Sequence, residues 1–282
     1  MSPPRIALAT SADHPDGPGG EGLLTKALLA RDTHPVWRVW NDPTVDWSGH
    51  DLIVLRSTWD YPYDLEGFRL WVRSSPVAVH LVNTPTLVLA NLHKGYLADL
   101  GDLAVPTVVV PAGMTLDLRR LRWQTSVVKP AVGSRGVGAV RAAAQADLDA
   151  LTLAPVGAVD AVVQPYLDDI EHRGEVSVVC IGGEPTHAVR KLPAPGEFRI
   201  HEHWGGTVEH VDPHPDDLAV ARAALGTLRT TPAYARVDLL HDGTRPRVVE
   251  LELVEPYLWL EMAPHAADLL ADELVRRVVH HW

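Results

Sequence analysis

The chain has a single cysteine, Cys180, in 282 residues, so no disulfide can close within it. A reducing cytoplasm is the simplest setting for such a sequence. Positive charge is also scarce, with 25 Lys and Arg against 36 Asp and Glu and a formal net charge of -11. That balance argues against nonspecific binding to nucleic acid or to an anionic membrane, both of which need a basic face. It leaves ATP open, because a local cluster of Lys, Arg and metal can hold phosphate inside an acidic protein. Long apolar runs are missing, and none reaches the roughly 20 residues of a bilayer span. The stretch 1–10 has one basic residue and a short apolar run that ends in polar residues, which is not the pattern of a secretory signal. There is no internal repeat. Three motifs are absent too: the Gly-Lys-Ser/Thr ending of a Walker loop, the glycine spacing of a dinucleotide fingerprint, and any Gly-x-Ser-x-Gly around Ser57. What remains is a folded-protein composition, 46% hydrophobic and 22% charged.

The pattern along the chain changes near residue 83. Before it, apolar strands at 5–10, 36–40 and 52–56 with a helix at 23–31 predict a small α/β unit with a parallel sheet. Thr84-Pro85 has the form of a helix start, an N-cap followed by proline, and the helix is expected to run to about residue 100, where Gly101 stops it. Short β-rich runs follow at 107–110, 126–129, 139–141, 161–164, 176–181 and 187–191, with helices at 142–151 and 216–228. Runs 234–240 and 247–254 read as a hairpin around Asp242-Gly243. A last helix at 263–280 carries Leu269, Leu270, Leu274 and Val278 along one side, for packing within the chain or in a homodimer. The expected division is 1–83, 84–167 and 168–282, with a cleft between two α+β lobes.

Four groups of residues carry chemistry. Asp238, Glu250 and Glu252 come first. Side chains on a strand alternate, so Glu250 and Glu252 share a face, and the hairpin brings Asp238 beside them. Three converging carboxylates repel unless a cation compensates, and oxygen-only ligands suit Mg²⁺ or Mn²⁺. The competing reading is a solvated face whose charges pair with Arg236 and Arg247. Lys129 ends an apolar strand and leads into Gly133, Ser134, Arg135, Gly136 and Gly138, a loop whose glycines let backbone N–H groups approach phosphate. Alone, such a loop is also a common turn. Gln164, Pro165, Tyr166 and Leu167 break a strand where a purine could stack, with Glu175 placed to reach a ribose. Lys191 and Arg199 flank a Pro- and Gly-rich loop that can bring a fixed cation to a transferring phosphoryl group. Cys180 lies in an apolar run and reads as core, His201 and His203 lack further zinc ligands, and Glu255 falls on the far face of a regular strand.

In this order the residues resemble an ATP-grasp ligase over most of the chain from about residue 83. Asn91-Leu-His-Lys94 joins the motifs above, and the resemblance implies that Lys94 and Lys129 bind the nucleotide, Gln164 to Leu167 read adenine, Glu175 holds ribose, and Asp238, Glu250 and Glu252 hold metal. Glu252 departs from the Asn common at its position. Arg56-Ser-Thr-Trp-Asp-Tyr61, His187-Ala-Val-Arg-Lys191 and Glu250-Leu-Glu-Leu-Val-Glu-Pro256 are similar to the subgroup that contains the O-ureido-serine cyclo-ligase of cycloserine biosynthesis. The resemblance implies an α/β and α+β ATP-grasp fold with an N-terminal α/β domain, and a Mg-ATP-dependent carbon–nitrogen ligase working through an acyl phosphate on a small amino-acid-like substrate. Arg56 and Asp60, at a strand C-terminus, are expected to bind that substrate. The alternatives are a ligase that joins two molecules and a silent nucleotide-binding regulator.

Overall fold

The structure, a computed structural model, describes residues 2–114, 116–121, 123–143 and 159–280. Strands β1 (Arg5–Thr10), β2 (His34–Val39), β3 (Leu52–Ser57) and β4 (Leu81–Val82) form a parallel sheet in the order β2-β1-β3-β4. Its inner strands are apolar at their centres, Ile6–Ala9 and Leu52–Leu55, because both faces are covered there. Ile6, Leu8, Leu52 and Val54 point to one cluster with Leu24, Leu28, Leu270 and Leu274, while Ala7, Ala9, Ile53 and Leu55 point to another with Trp40, Phe68 and Val72. The last helix, Pro264–His280, therefore packs back onto the N-terminal sheet, where Arg31 reaches Asp268 and Asp272 at 3.0 and 2.6 Å. Leu270, Leu274 and Val278 are buried there, but Leu269 is 44% exposed and does not belong to that face.

Two antiparallel sheets follow. β5 (Val108–Val110), β6 (Ser126–Pro130), β7 (Val140–Ala142) and β8 (Ala161–Pro165) pair in the order β5-β8-β6-β7. β9 (Glu175–Ile181), β10 (Glu184–Leu192), β11 (Thr207–Val211), β12 (Tyr234–His241) and β13 (Pro246–Glu252) pair in the order β11-β10-β9-β12-β13. The helix Pro215–Gly226 covers one face of the second sheet through Ala221, Ala224 and Leu225. The expected helix at 142–151 begins in β7 and from residue 144 lies outside the described residues. β11 was hidden by the polar sequence Thr-Val-Glu-His-Val, which suits an edge strand with a solvated face.

The helix expected at 84–100 is interrupted. It forms at Pro85–Asn91, capped by Thr84, and again at Tyr96–Asp99. Between them the Lys94 N–H donates to Ala131 O at 2.7 Å, so that backbone group serves the central sheet instead of the helix. The same segment finishes the edge of β13. Asn91 donates to Leu251 O at 2.8 Å and accepts from the Leu253 N–H at 2.9 Å, and the Tyr96 hydroxyl both donates to Leu251 O and accepts from the Leu251 N–H. Side chains here replace a neighbouring strand, satisfying backbone groups that burial would otherwise leave unpaired.

Asn83 joins the first and third sheets. It is 1% exposed, sits in the left-handed region at φ 56°, donates to Tyr234 O and Leu253 O at 2.9 and 2.8 Å, and accepts from the Ala233 N–H at 2.8 Å. Asn tolerates that backbone better than most residues. Asn83→Ala strands three buried backbone groups, so urea denaturation should show a loss of about 3 kcal/mol or more. A loss under about 1 kcal/mol would mean that this junction does not hold the sheets together.

Candidate active site

The three sheets enclose a cavity of about 720 Å³. The central sheet contributes Lys129, Gln164, Pro165, Tyr166, Leu167 and the loop residues Gly133, Ser134, Arg135 and Gly136. The third sheet contributes Glu175, Lys191, Arg236, Asp238, Glu250 and Glu252, and the following segment Glu255, Tyr257 and Trp259. Lys94 enters from the interrupted helix, and His14, Trp59 and Tyr61 from the N-terminal loops. Gly138 is not part of the lining; at φ 76° it serves the turn of the loop.

Strand register builds the charged wall. Asp238 lies opposite Glu250 on β13 and opposite Ser177 on β9, Arg236 lies opposite Glu252, and Lys191 lies opposite Glu175. Opposed residues present their side chains to the same face, so the acids arrive with cations beside them. Arg236 spans both Asp238 oxygens at 2.8 Å each and also pairs with Glu252. Lys191 pairs with Glu175 and stands 3.6 Å from Asp238, whose other partner is the Ser177 hydroxyl at 2.5 Å. Glu250 takes Lys94 at 3.1 Å and Lys129 at 3.6 Å.

These partners divide the acids. Burial alone would raise every one of them. For Asp238 the Arg236 and Lys191 charges override burial and hold the carboxyl well below its usual range, and Lys94 with Lys129 bring Glu250 down to about 2. Burial, with too little compensation from Arg236, pushes Glu252 up to about 7. Among the described residues no three His, Cys, Asp or Glu side chains already stand in metal-holding geometry, since the acids face cations.

The glycine loop rests on its surroundings. Lys94 Nζ donates to Gly133 O at 2.6 Å, and Ser134 Oγ donates to Trp59 O at 3.3 Å. At Gly136, with φ 68°, an added Cβ would come within 3.0 Å of His201 Nδ1, so glycine allows the loop to lie against the segment carrying Arg199. Arg199 is held by Glu197 at 2.5 and 3.0 Å and stacks on the Trp204 ring at 3.3 Å. Beyond this, Ile170, Ile200 and Leu240 with Tyr166, Leu167 and Val249 make an apolar slot, and Gln164 is fixed by a 3.0 Å bond to Thr107.

Two expectations are corrected. Arg56 and Asp60 do not line the cavity. Arg56 is 1% exposed and locked to Glu21 at 2.5 and 3.0 Å, while Asp60 accepts from Trp40 Nε1 at 2.8 Å. A charged group at a strand end is as readily consumed by a buried ion pair as by substrate. Glu255, assigned to the far face, lines the cavity at 8% exposure. β13 ends at Glu252, so its alternation does not extend that far. Arg236, not expected in the site, stands two residues before Asp238 on β12 and therefore on the same strand face. Trp59, Tyr61 and Trp259 gave no comparable periodic signal. Cys180 is core, fully buried, with burial pushing its thiol up to about 12.

Comparison with known proteins accounts for this arrangement. A family model described as the N-terminal domain of D-cycloserine synthetase DcsG matches residues 6–83, and one described as the ATP-grasp domain of prokaryotic glutathione synthetase matches residues 93–242. The chain belongs to the ATP-grasp ligase family. It is 31% identical over 265 residues to the cycloserine biosynthesis protein DcsG of Streptomyces lavendulae, covering 85% of this chain and 87% of that one. It is 27% identical over 174 residues to the glutathione synthetase of Mesorhizobium japonicum, spanning 54% of that protein's length. The crystal structure of D-cycloserine synthetase DcsG superposes with a TM-score of 0.86 at 27% identity over 97% of this chain and 99% of that one. The ATP-grasp ligase PsnB, at 19% identity and a TM-score of 0.65, shares the fold. This ATP-grasp chain is thus an ATP-dependent ligase, of a class that uses divalent metals with ATP. Among the described residues no helix is long and apolar enough to cross a membrane.

Burial and the neighbouring Glu252 charge push the Glu255 carboxyl up to about 8 from an ordinary 4.5. The folded state then holds a proton that the unfolded chain releases, so the contribution of Glu255 to stability is full below about 4.5 and lost as pH rises through about 8. Urea titrations between pH 4.5 and 8 should show the wild type losing stability relative to Glu255→Gln as pH rises; parallel curves would contradict this.

Proposed function

We propose that this ligase activates a substrate carboxylate with Mg-ATP, as an acyl phosphate, and transfers the acyl group to nitrogen on a small amino-acid-like molecule. The observation that carries the reading is the single cavity in which Asp238, Glu250 and Glu252 meet Lys94, Lys129, Lys191 and Arg236. The likeness to DcsG favours one member of this class, ring closure of O-ureido-serine to cycloserine, over joining of two molecules.

The donor set fits Mg²⁺ or Mn²⁺: oxygen atoms only, from Asp238, Glu250 and Glu252, on the inner faces of β12 and β13. Such an ion would supply charge neutralisation at the phosphate oxygens and the developing negative charge. The side chains do the rest. Lys94 and Lys129, released from Glu250, bind phosphate, and the backbone of Gly133, Ser134, Arg135 and Gly136 lies over it as a lid. The apolar slot with Gln164, Pro165, Tyr166 and Leu167 holds the purine, and Glu175 takes the ribose. Lys191, Arg199 and Arg236 orient the substrate carboxylate and stabilise the transferring phosphoryl group. An acyl phosphate hydrolyses readily, so the lid and the packed rim also keep water out.

ADP release is the direct assay, over a panel of amino acids and O-substituted serines. Lys129→Ala and Glu250→Gln should each lower it by at least about a hundredfold with the fold intact by circular dichroism. Unchanged turnover in either variant contradicts the site, and ATP binding without ADP formation from any member of the panel would favour the silent regulator. Product mass separates ring closure from joining.

A further inference from the structure

Glu255 stands apart from every other buried acid in the cavity. Glu175, Asp238, Glu250 and Glu252 each have an ionic partner in Lys191, Arg236 or Lys94. Glu255 is 8% exposed, lines the same cavity, and among the described residues its carboxylate has no side-chain hydrogen bond or ion pair, only its own backbone N–H. A carboxylate is costly to bury without a partner, so Glu255 in the cavity lining holds a proton at rest and can ionise when a cation from outside comes to lie beside it.

The surroundings select the kind of cation. Trp59 donates its indole N–H to the Glu255 backbone O at 3.1 Å, its ring lies 6.2 Å from that of Tyr257, and the buried Tyr61 lines the same cavity. A small divalent ion asks for several oxygen ligands. A carboxylate in a cavity that aromatic side chains also line suits an ammonium, which gains an ion pair and can meet the face of a ring. Position agrees. Glu255 follows β13 beyond Glu252 and its carbonyl is bonded by Trp59, whose ring meets that of His14 edge to face at 5.3 Å, both rings lining the cavity.

We infer that Glu255, with Trp59 and Tyr61, binds a free ammonium group that the substrate keeps throughout the reaction. This rests on the ligase reading and sharpens it in two ways. The substrate carries an amine in addition to the activated carboxylate, and that amine is not the attacking nitrogen, because an ammonium held by a carboxylate has no lone pair to offer. The nucleophile is then a second nitrogen of the same molecule or of another one.

The test uses the full chain with Mg²⁺ and a non-hydrolysable ATP analogue, and two probes titrated by calorimetry: O-ureido-D-serine and its analogue with hydroxyl in place of the amine. The wild type should prefer the amine by roughly tenfold to a hundredfold, the worth of a charged hydrogen bond. Glu255→Gln should erase that preference while nucleotide affinity stays as in the wild type. Glu255→Asp, which keeps the charge but shortens the reach, should lose several-fold of the preference and carries the comparison if Glu255→Gln no longer binds nucleotide. No amine preference in the wild type, or an undiminished one in both variants, overturns the inference. So does a defect in Glu255→Gln that appears only as a raised Mg²⁺ requirement. ADP release is recorded separately: turnover without amine preference sinks the inference and spares the ligase reading, and amine preference without turnover does the reverse.

Discussion

Arg236 lies between Asp238 and Glu252, bonded to both, and the cavity is organised around that pairing. Two unit charges 4 Å apart interact by about 4 kcal/mol at an effective dielectric of 20, so acids this close cannot all ionise in a buried site without cations between them. Strand register supplies the cations. Asp238 faces Glu250, Arg236 faces Glu252 and Lys191 faces Glu175, each on the sheet face turned to the cavity. The resting protein is thereby held as a set of internal ion pairs. In the proposed function, entry of phosphate with a divalent cation would let both halves of each pair change partners, the lysines and arginine to phosphate and the acids to metal. Little net charge would be newly buried in such an exchange, which would let an acidic chain accommodate a polyanion.

The other sheets fix where the exchange happens. Asn91 and Tyr96 hold the outer edge of β13, and Asn83 ties that strand's continuation to the parallel sheet. The interruption that frees Asn91 and Tyr96 for this work also turns Lys94 into the cavity. The N-terminal sheet is drawn in further by its own buried pair, Glu21 with Arg56, and by the last helix. Its loops then close the side of the cavity where Trp59 meets the segment after β13, beside Glu255, whose carboxyl has no ionic partner among the described residues.

Much of this was legible in the sequence because it follows period-2 alternation and turn chemistry. Asp238, Glu250 and Glu252 could be placed on one face from spacing, and Asp242-Gly243 marked the hairpin between them. The buried parallel strands showed as apolar runs. Errors arose where regularity stops. β13 ends at Glu252, which returned Glu255 to the cavity, and the helix after Thr84 yields its backbone N–H at Lys94 to the central sheet. Arg56 has the same charge whether it meets a substrate or Glu21, and only tertiary packing decides which. Family resemblance, not spacing, pointed to Lys94.

The claim on which the account turns is that the substrate carboxylate attacks phosphorus. Incubation of the protein with ATP, Mg²⁺ and O-ureido-D-serine labelled with ¹⁸O in its carboxylate, followed by mass analysis of the inorganic phosphate, tests this directly. Activation as an acyl phosphate transfers one labelled oxygen to phosphate for each ADP formed. ADP formation with unlabelled phosphate, all label remaining with the product or the unreacted acid, would contradict it.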